Sequence, residues 1–318
     1  MRRLGRVLVT GADGFLGTHL VSLLKSRGAD VIQGLRNGGG DAGVVPFDLR
    51  ARANVEAALR SARPDMIVNL AAIADPGAAE SDPELAYDVN VLGQLRLIRA
   101  VLQLTPHARL VTLGTAHQYG APDSAQPVTE DAPFRPNSVY ATTKAAADLQ
   151  ALQYHLSDGL DVIRLRVFNL IGPGRSADYF PARQVRRMAK ILDHDADASL
   201  ATFSLAGAID FVDVRDACTA IAAVLERGVD GAAYNVARGR AVPLREVIER
   251  LIVIADRDAR IDEAPRAASG RRTSSISGDA SRIRRDTGWE PRVSVDDSLR
   301  DALEFERATL RRTSPSVR

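Results

Sequence analysis

Through the first half of the chain, short apolar runs alternate with longer stretches whose apolar residues recur at helical spacing. Arg6–Thr10 reads as a buried strand that runs straight into Gly11-Ala12-Asp13-Gly14-Phe15-Leu16-Gly17, and Leu20, Leu23 and Leu24 then mark one face of a helix. Further strands are predicted at Val31–Leu35, Val44–Leu49, Asp65–Ala72, Arg109–Leu113 and Asp161–Val167. Helices are predicted between them at Ala53–Ser61, at Glu84–Leu104 and from Ser138 onward, where Asn137 or Ser138 can cap the first turn. Strands alternating with helices at this spacing imply an α/β fold with a doubly wound parallel sheet, whose ligands bind at the carboxyl ends of the strands.

Beyond residue 170 the alternation loosens. Helices are expected at Phe180–Leu192, Asp216–Glu226, Leu244–Ala255 and from Val295, with Phe211–Val214 and Tyr234–Val236 as short apolar segments, the second able to return to the sheet. Residues 256–285, rich in Arg, Asp, Ser and Ala, read as loop, and residues 311–318 as a frayed tail. The expected organisation is a cofactor-binding domain over 1–170 and a smaller, interleaved α/β substrate lobe over 171–318, with segments near 207–237 rejoining the sheet.

Composition narrows the function classes. With 42 basic against 40 acidic residues, a net charge of +2, no dominant field points to nucleic acid or a membrane surface. The apolar run after Met1-Arg2-Arg3 is cut short at Gly11, too soon for a signal core, and no later run is long enough for a membrane span. A lone cysteine, Cys218, excludes an internal disulfide and fits a reducing compartment, so a cytoplasmic location is expected. The histidines (His19, His107, His117, His155, His194) show no ligand spacing, and no metal is expected.

Candidate chemistry begins at the glycine turn. A strand, a Gly-x-x-Gly-x-x-Gly turn and a helix form the context of a Rossmann dinucleotide loop: the glycines let the backbone approach a pyrophosphate, and the helix start supplies amides. NAD-binding folds usually end their second strand on an acid that accepts from the ribose hydroxyls. This chain has Arg36 there, which suits a 2′-phosphate, so NADP(H) is expected over NAD(H). Asp48, with Leu49 beside it, could contact adenine, and the small residues of Leu70-Ala71-Ala72 would let the backbone approach the cofactor. Tyr140 and Lys144 lie four apart on one helical face, and Lys144 is among only three lysines in the chain. An ammonium beside a phenol favours phenolate, lowering a tyrosine pKa from about 10 toward the range of a general acid or base.

Taken together, Thr10–Gly17, Leu70-Ala71-Ala72, Asn90-Val91-Leu92-Gly93, Tyr119-Gly120, Tyr140-x-x-x-Lys144 and Thr287-Gly288-Trp289-Glu290-Pro291 resemble the extended short-chain dehydrogenase/reductase family of nucleotide-sugar epimerases, dehydratases and reductases. Within it, Phe168–Gly174, Asp210–Val214 and Tyr234–Val236 are most similar to the GDP-4-keto-6-deoxymannose reductases. The resemblance implies Thr115, Tyr140 and Lys144 as the catalytic set, with Leu113 and Phe168 beside the glycine loop in the cofactor site. It implies Thr115, Ala116, His117, Asn169, Arg183, Arg266 and Arg271 for the substrate. His117 stands where related dehydratases carry a glutamate, Ile209 where the reductases carry arginine, and the stretch Ala264–Arg272 lacks their acid. The implied activity is NADPH-dependent reduction of a keto group, expected at C4, on a nucleoside-diphosphate-linked deoxysugar. The alternatives are an NAD-dependent 4-epimerase and a non-catalytic cofactor sensor. A homodimer through the helices near Glu84–Leu104 and Ser138–His155 is also implied.

Overall fold

The structure, a computed structural model, describes residues 2–38, 41–121, 126–194, 198–202, 204–264 and 275–313. Its first elements are β1 (Arg6–Thr10), α1 (Phe15–Ser26), β2 (Asp30–Leu35), β3 (Val44–Pro46), α2 (Arg52–Ala62), β4 (Met66–Asn69), α3 (Pro76–Ser81) and α4 (Pro83–Tyr87). There follow α5 (Gln94–Leu104), β5 (Arg109–Thr115), α6 (Val139–Asp158), β6 (Val162–Val167), β7 (Asn169–Ile171), α7 (Ala182–His194), β8 (Ser199–Thr202) and β9 (Ala208–Asp213). The last are α8 (Val214–Arg227), β10 (Ala233–Val236), β11 (Ala241–Pro243), α9 (Leu244–Ala255), β12 (Arg260–Glu263), α10 (Ser281–Thr287) and α11 (Val295–Thr313).

A seven-stranded parallel sheet in the order β10-β6-β5-β4-β1-β2-β3 forms the centre. Its strands read as continuous apolar runs because both faces are covered. Val7 and Val9 of β1 pack with α1 and α8 on one face, while Leu8 joins α2, α5 and α6 on the other. A third core joins α7, α9 and α11 to the smaller sheets β11-β9-β7 and β12-β8. Within 207–237, β10 joins the edge of the main sheet and α8 covers its face, but residues 208–213 belong to the three-stranded sheet instead.

Two regions differ from the periodicity-based expectation. Glu84–Leu104 is not one regular helix, because residues 88–93 form a π turn between α4 and α5. That turn carries Asn90 inward, where its amide accepts from Ile73 N (2.8 Å) and donates to Ile73 O (3.1 Å) and the Thr143 hydroxyl (3.0 Å). The supposed loop 256–285 contains β12 and α10. β12 is a short strand with exposed ends, so its alternation is too brief to register. After α10, Trp289 Nε1 donates to the Thr219 hydroxyl (3.0 Å) and Asp216 O (3.1 Å), fastening this segment to α8.

Ser138 caps α6, accepting from Ala141 N (3.2 Å). Along this helix Tyr140, Lys144 and Asp148 recur every four residues and share one face. Asp148 is buried and accepts from Arg164 Nη1 (2.7 Å), Arg166 Nε (2.9 Å) and Arg166 Nη2 (3.1 Å) of β6. The lower end of the face is thereby fixed to the sheet by charge, while the upper end reaches the carboxyl ends of the strands.

Candidate active site

The crevice opens where the strand order reverses, between β1 and β4. The Thr10 hydroxyl bridges the two strand ends, donating to Asn69 Oδ1 (2.8 Å) and accepting from Ala71 N (3.1 Å). Gly11 then turns with φ +61°, and a side chain on Gly17 would stand 2.4 Å from Gly11 O, so the loop closes only with glycine at both positions. Gly14 leads into α1 without a side-chain cap, which leaves the first-turn amides available to a ligand.

A cleft of about 400 Å³ results, lined by Gly11, Asp13, Gly14, Phe15, Leu16 and Gly17 from this loop and by Leu70, Ala71 and Ala72 after β4. Leu113, Thr115, His117, Tyr140, Lys144, Phe168 and Asn169 complete the part read from the sequence. The uncapped amides and side-chain-free glycine cradle suit the pyrophosphate of a dinucleotide.

Thr115 ends β5 and starts the short 3-10 turn Ala116–Tyr119. Its hydroxyl accepts from His117 N (3.3 Å), and Gln118 Oε1 accepts from Thr115 N (2.6 Å), a reciprocal cap that fixes the side chain toward α6. There it shares a hydrogen bond with the Tyr140 hydroxyl. Lys144 Nζ donates to Leu113 O (2.9 Å), which holds the ammonium at the strand end.

The expected lowering of the tyrosine pKa is corrected by this arrangement. Burial pushes Tyr140 up to about 12, outweighing the Thr115 hydrogen bond that acts the other way. Burial also pushes Lys144 down to about 8. Desolvation disfavours the charged form of each group, and the ammonium is engaged by a carbonyl rather than by the phenol. The result is a phenol that keeps its proton throughout the neutral range. The His117 ring is open to the cleft yet surrounded by protein; this enclosure holds its pKa below the usual imidazole value despite a hydrogen bond to Asn169. Its ring centre stands 6.1 Å from that of Tyr140.

Other expected site residues lie elsewhere. Ala116 is buried in the core between the main sheet and α8, not in the cleft, because the turn after Thr115 carries it inward. Arg183 is exposed on α7 and donates to Ala177 O (3.2 Å) and Asp178 O (3.4 Å), since the inward face of α7 serves the third core. Arg36 is exposed just past β2, near Asp48, and its side chain makes no hydrogen bond or ion pair among the described residues. The Asp48 carboxylate is engaged by Arg50 (2.7 Å), and the Leu49 side chain is buried in the core. Neither lines the cleft, so Leu49 could meet a cofactor only through its backbone. Arg266 and Arg271 fall outside the described residues.

Sequence reasoning missed Arg175 and Tyr179, both of which line the cleft. They follow β7 on a turn through Gly172 (φ +139°) and Gly174 (φ +85°), conformations that only glycine adopts readily. Arg175 is the first basic residue after a glycine-proline-glycine turn at a strand end, and that is the signal that could have found it.

A model of the NAD dependent epimerase/dehydratase family matches residues 7–237. The chain is 31% identical over 304 residues to the GDP-6-deoxy-D-mannose reductase of Pseudomonas aeruginosa, covering 94% of this chain and 96% of that protein. Among solved structures, RMD from Pseudomonas aeruginosa complexed with NADPH superposes with a TM-score of 0.84 at 29% identity, covering 96% of this chain and 99% of that one. A Thermus thermophilus UDP-glucose 4-epimerase in complex with NAD gives 0.82 at 29% identity, covering 95% and 99%.

Proposed function

The chain belongs to the NAD dependent epimerase/dehydratase family, and from that premise we propose that it reduces a keto group, at C4, on a nucleoside-diphosphate-linked deoxysugar, with NADPH as the reductant. The observation that carries this reading is the hydrogen bond between Thr115 and Tyr140 beside the glycine loop, with Lys144 one helical turn along. A reduced nicotinamide, when bound, supplies the hydride that reaches the carbonyl carbon. Tyr140 gives its proton to the carbonyl oxygen as negative charge develops there, and Thr115 donates a hydrogen bond to the same oxygen. Lys144, held at the strand end by Leu113 O, holds the cofactor ribose, while Asn169 contacts the sugar and keeps His117 oriented. Gly11, Asp13, Gly14, Phe15, Leu16, Gly17, Leu70, Ala71, Ala72, Leu113 and Phe168 hold the dinucleotide.

Arg36 carries the preference for NADPH: an exposed guanidinium without an ion pair among the described residues is free for a 2′-phosphate. Arg36→Ala should cut the ratio of NADPH to NADH affinity by roughly ten- to a hundredfold, the worth of a charge-assisted hydrogen bond. Fluorescence titration of both cofactors measures it, and an unchanged ratio would remove Arg36 from this role. In the homodimer the family resemblance implies, a second copy would cover the face of α6 on which Leu149 (54% exposed) and Leu156 (74%) stand in water.

The direct test follows NADPH oxidation with GDP-, dTDP-, UDP- and CDP-linked 4-keto-6-deoxysugars. Turnover of at least one is expected. Tightly held NAD that survives purification, together with C4 inversion of a nucleotide sugar and no net reduction, would establish the epimerase reading in its place.

A further inference from the structure

Arg175 is placed unlike any other cation of the cleft. Its guanidinium lies 3.7 Å from the ring centre of Tyr179 and 5.0 Å from that of Phe15, the first residue of α1. Stacking of this kind uses the flat faces of the group and leaves the N–H donors at its edge uncommitted. Arg175 Nε is buried with no hydrogen-bond partner, and its side chain makes no ion pair within 4.0 Å among the described residues. The nearby carboxylate of Asp75 is engaged instead, accepting from the Tyr179 hydroxyl and from Ala78 N (2.7 Å). The other cation lining the cleft, Lys144, is held by Leu113 O.

A buried donor without a partner is costly, and a guanidinium stacked on the first residue of α1 adds positive charge to a cleft in which, among the described residues, Asp13 is the only lining carboxylate. The planar fork matches a pair of oxygens on one anion better than a single acceptor. We propose that Arg175 is a diphosphate-binding residue of the cleft, held ready between Phe15 and Tyr179 and pairing with a diphosphate when a nucleotide enters. This rests on the nucleotide-binding reading of the cleft given above. Two nucleotides of that reading carry a diphosphate, the dinucleotide and the sugar nucleotide, and the chemistry is common to both.

Binding to the full-length protein tests it without turnover. NADPH is titrated by fluorescence, and GDP, dTDP and UDP by calorimetry, against wild type, Arg175→Gln and Arg175→Lys, each first checked for an unaltered melting curve. Arg175→Gln should weaken one of the two classes by about ten- to a hundredfold, with Arg175→Lys intermediate because it keeps the charge and loses the fork. Weakening confined to NADPH identifies the cofactor as the source, and weakening confined to a nucleoside diphosphate identifies the substrate. Wild-type affinity should also fall more steeply with added salt than that of Arg175→Gln, which a purely packing role would not produce. If wild type binds these probes and Arg175→Gln binds them all within threefold as well, the assignment is overturned while the cleft reading stands. If wild type binds none of them, the cleft reading itself falls.

Discussion

Tyr140→Phe is expected to lose at least about a hundredfold, and up to about ten-thousandfold, in turnover of any accepted keto-sugar, the span of a positioned proton donor, while NADPH affinity should stay within about threefold. The ring remains, so the packing against His117 is kept, and only the hydroxyl that shares a hydrogen bond with Thr115 is removed. The carbonyl oxygen then has one donor in place of two and no proton to take. A variant retaining more than about a tenth of the wild-type rate would give the proton to another group.

The pH profile follows from the same environment. The proposed reduction consumes a proton, so its proposed donor must be protonated, and Tyr140 at about 12 is protonated well past neutrality. Lys144, pushed down to about 8, is charged below that pH and loses its charge as pH rises through it. The wild-type rate of reduction should therefore be level on the acid side of 8 and decline above it, with the inflection set by the lysine and not by the tyrosine. A level rate to about pH 10, the ordinary lysine range, would show that the ammonium is unperturbed or not needed.

Asp148→Ala should cost about 3–5 kcal/mol, the penalty for leaving buried charge unpaired. Arg164 and Arg166 are each less than 8% exposed, and Asp148 takes hydrogen bonds from both. Arg164 Nε already lacks a partner, so little spare capacity exists to absorb the loss. The melting temperature should fall by on the order of 10 °C, and chemical denaturation measures the free energy directly. A loss below about 1 kcal/mol would mean that water or a backbone shift satisfies both guanidiniums. Because Asp148 fixes the face of α6 that also carries Tyr140 and Lys144, the folded fraction of this variant should turn over more slowly than wild type.

Where local covalent geometry is decisive, the sequence was enough to place a residue. The glycine loop tolerates no side chain at Gly17, the interval from Tyr140 to Lys144 is one helical turn, and Thr115 ends a strand of the central sheet. All of these line one cleft. What could not be read depends on which way an element turns when it packs. Arg183 has the right chemistry for a diphosphate, but α7 owes its inward face to a core built from α9 and α11, far along the chain. Arg175 occupies the cleft because two glycines bend the chain after β7, a path with no periodicity to detect. Ala116 follows a catalytic candidate in sequence and leaves it in space, because a capped turn breaks the alternation of the strand. Tyr140 illustrates an energetic version of the same limit: helical spacing locates its charged neighbour but says nothing of how much water surrounds either group.

The π turn at residues 88–93 amounts to a dislocation in an otherwise regular lattice of hydrogen bonds. Deleting one residue would restore the ordinary repeat. The same deletion would swing Asn90 by roughly a quarter turn or more and release the stretch around Ile73 that follows the cleft wall at Leu70–Ala72. Regularity of the scaffold and placement of the chain beside the crevice thus make opposite demands on this short segment, and its present shape meets the second.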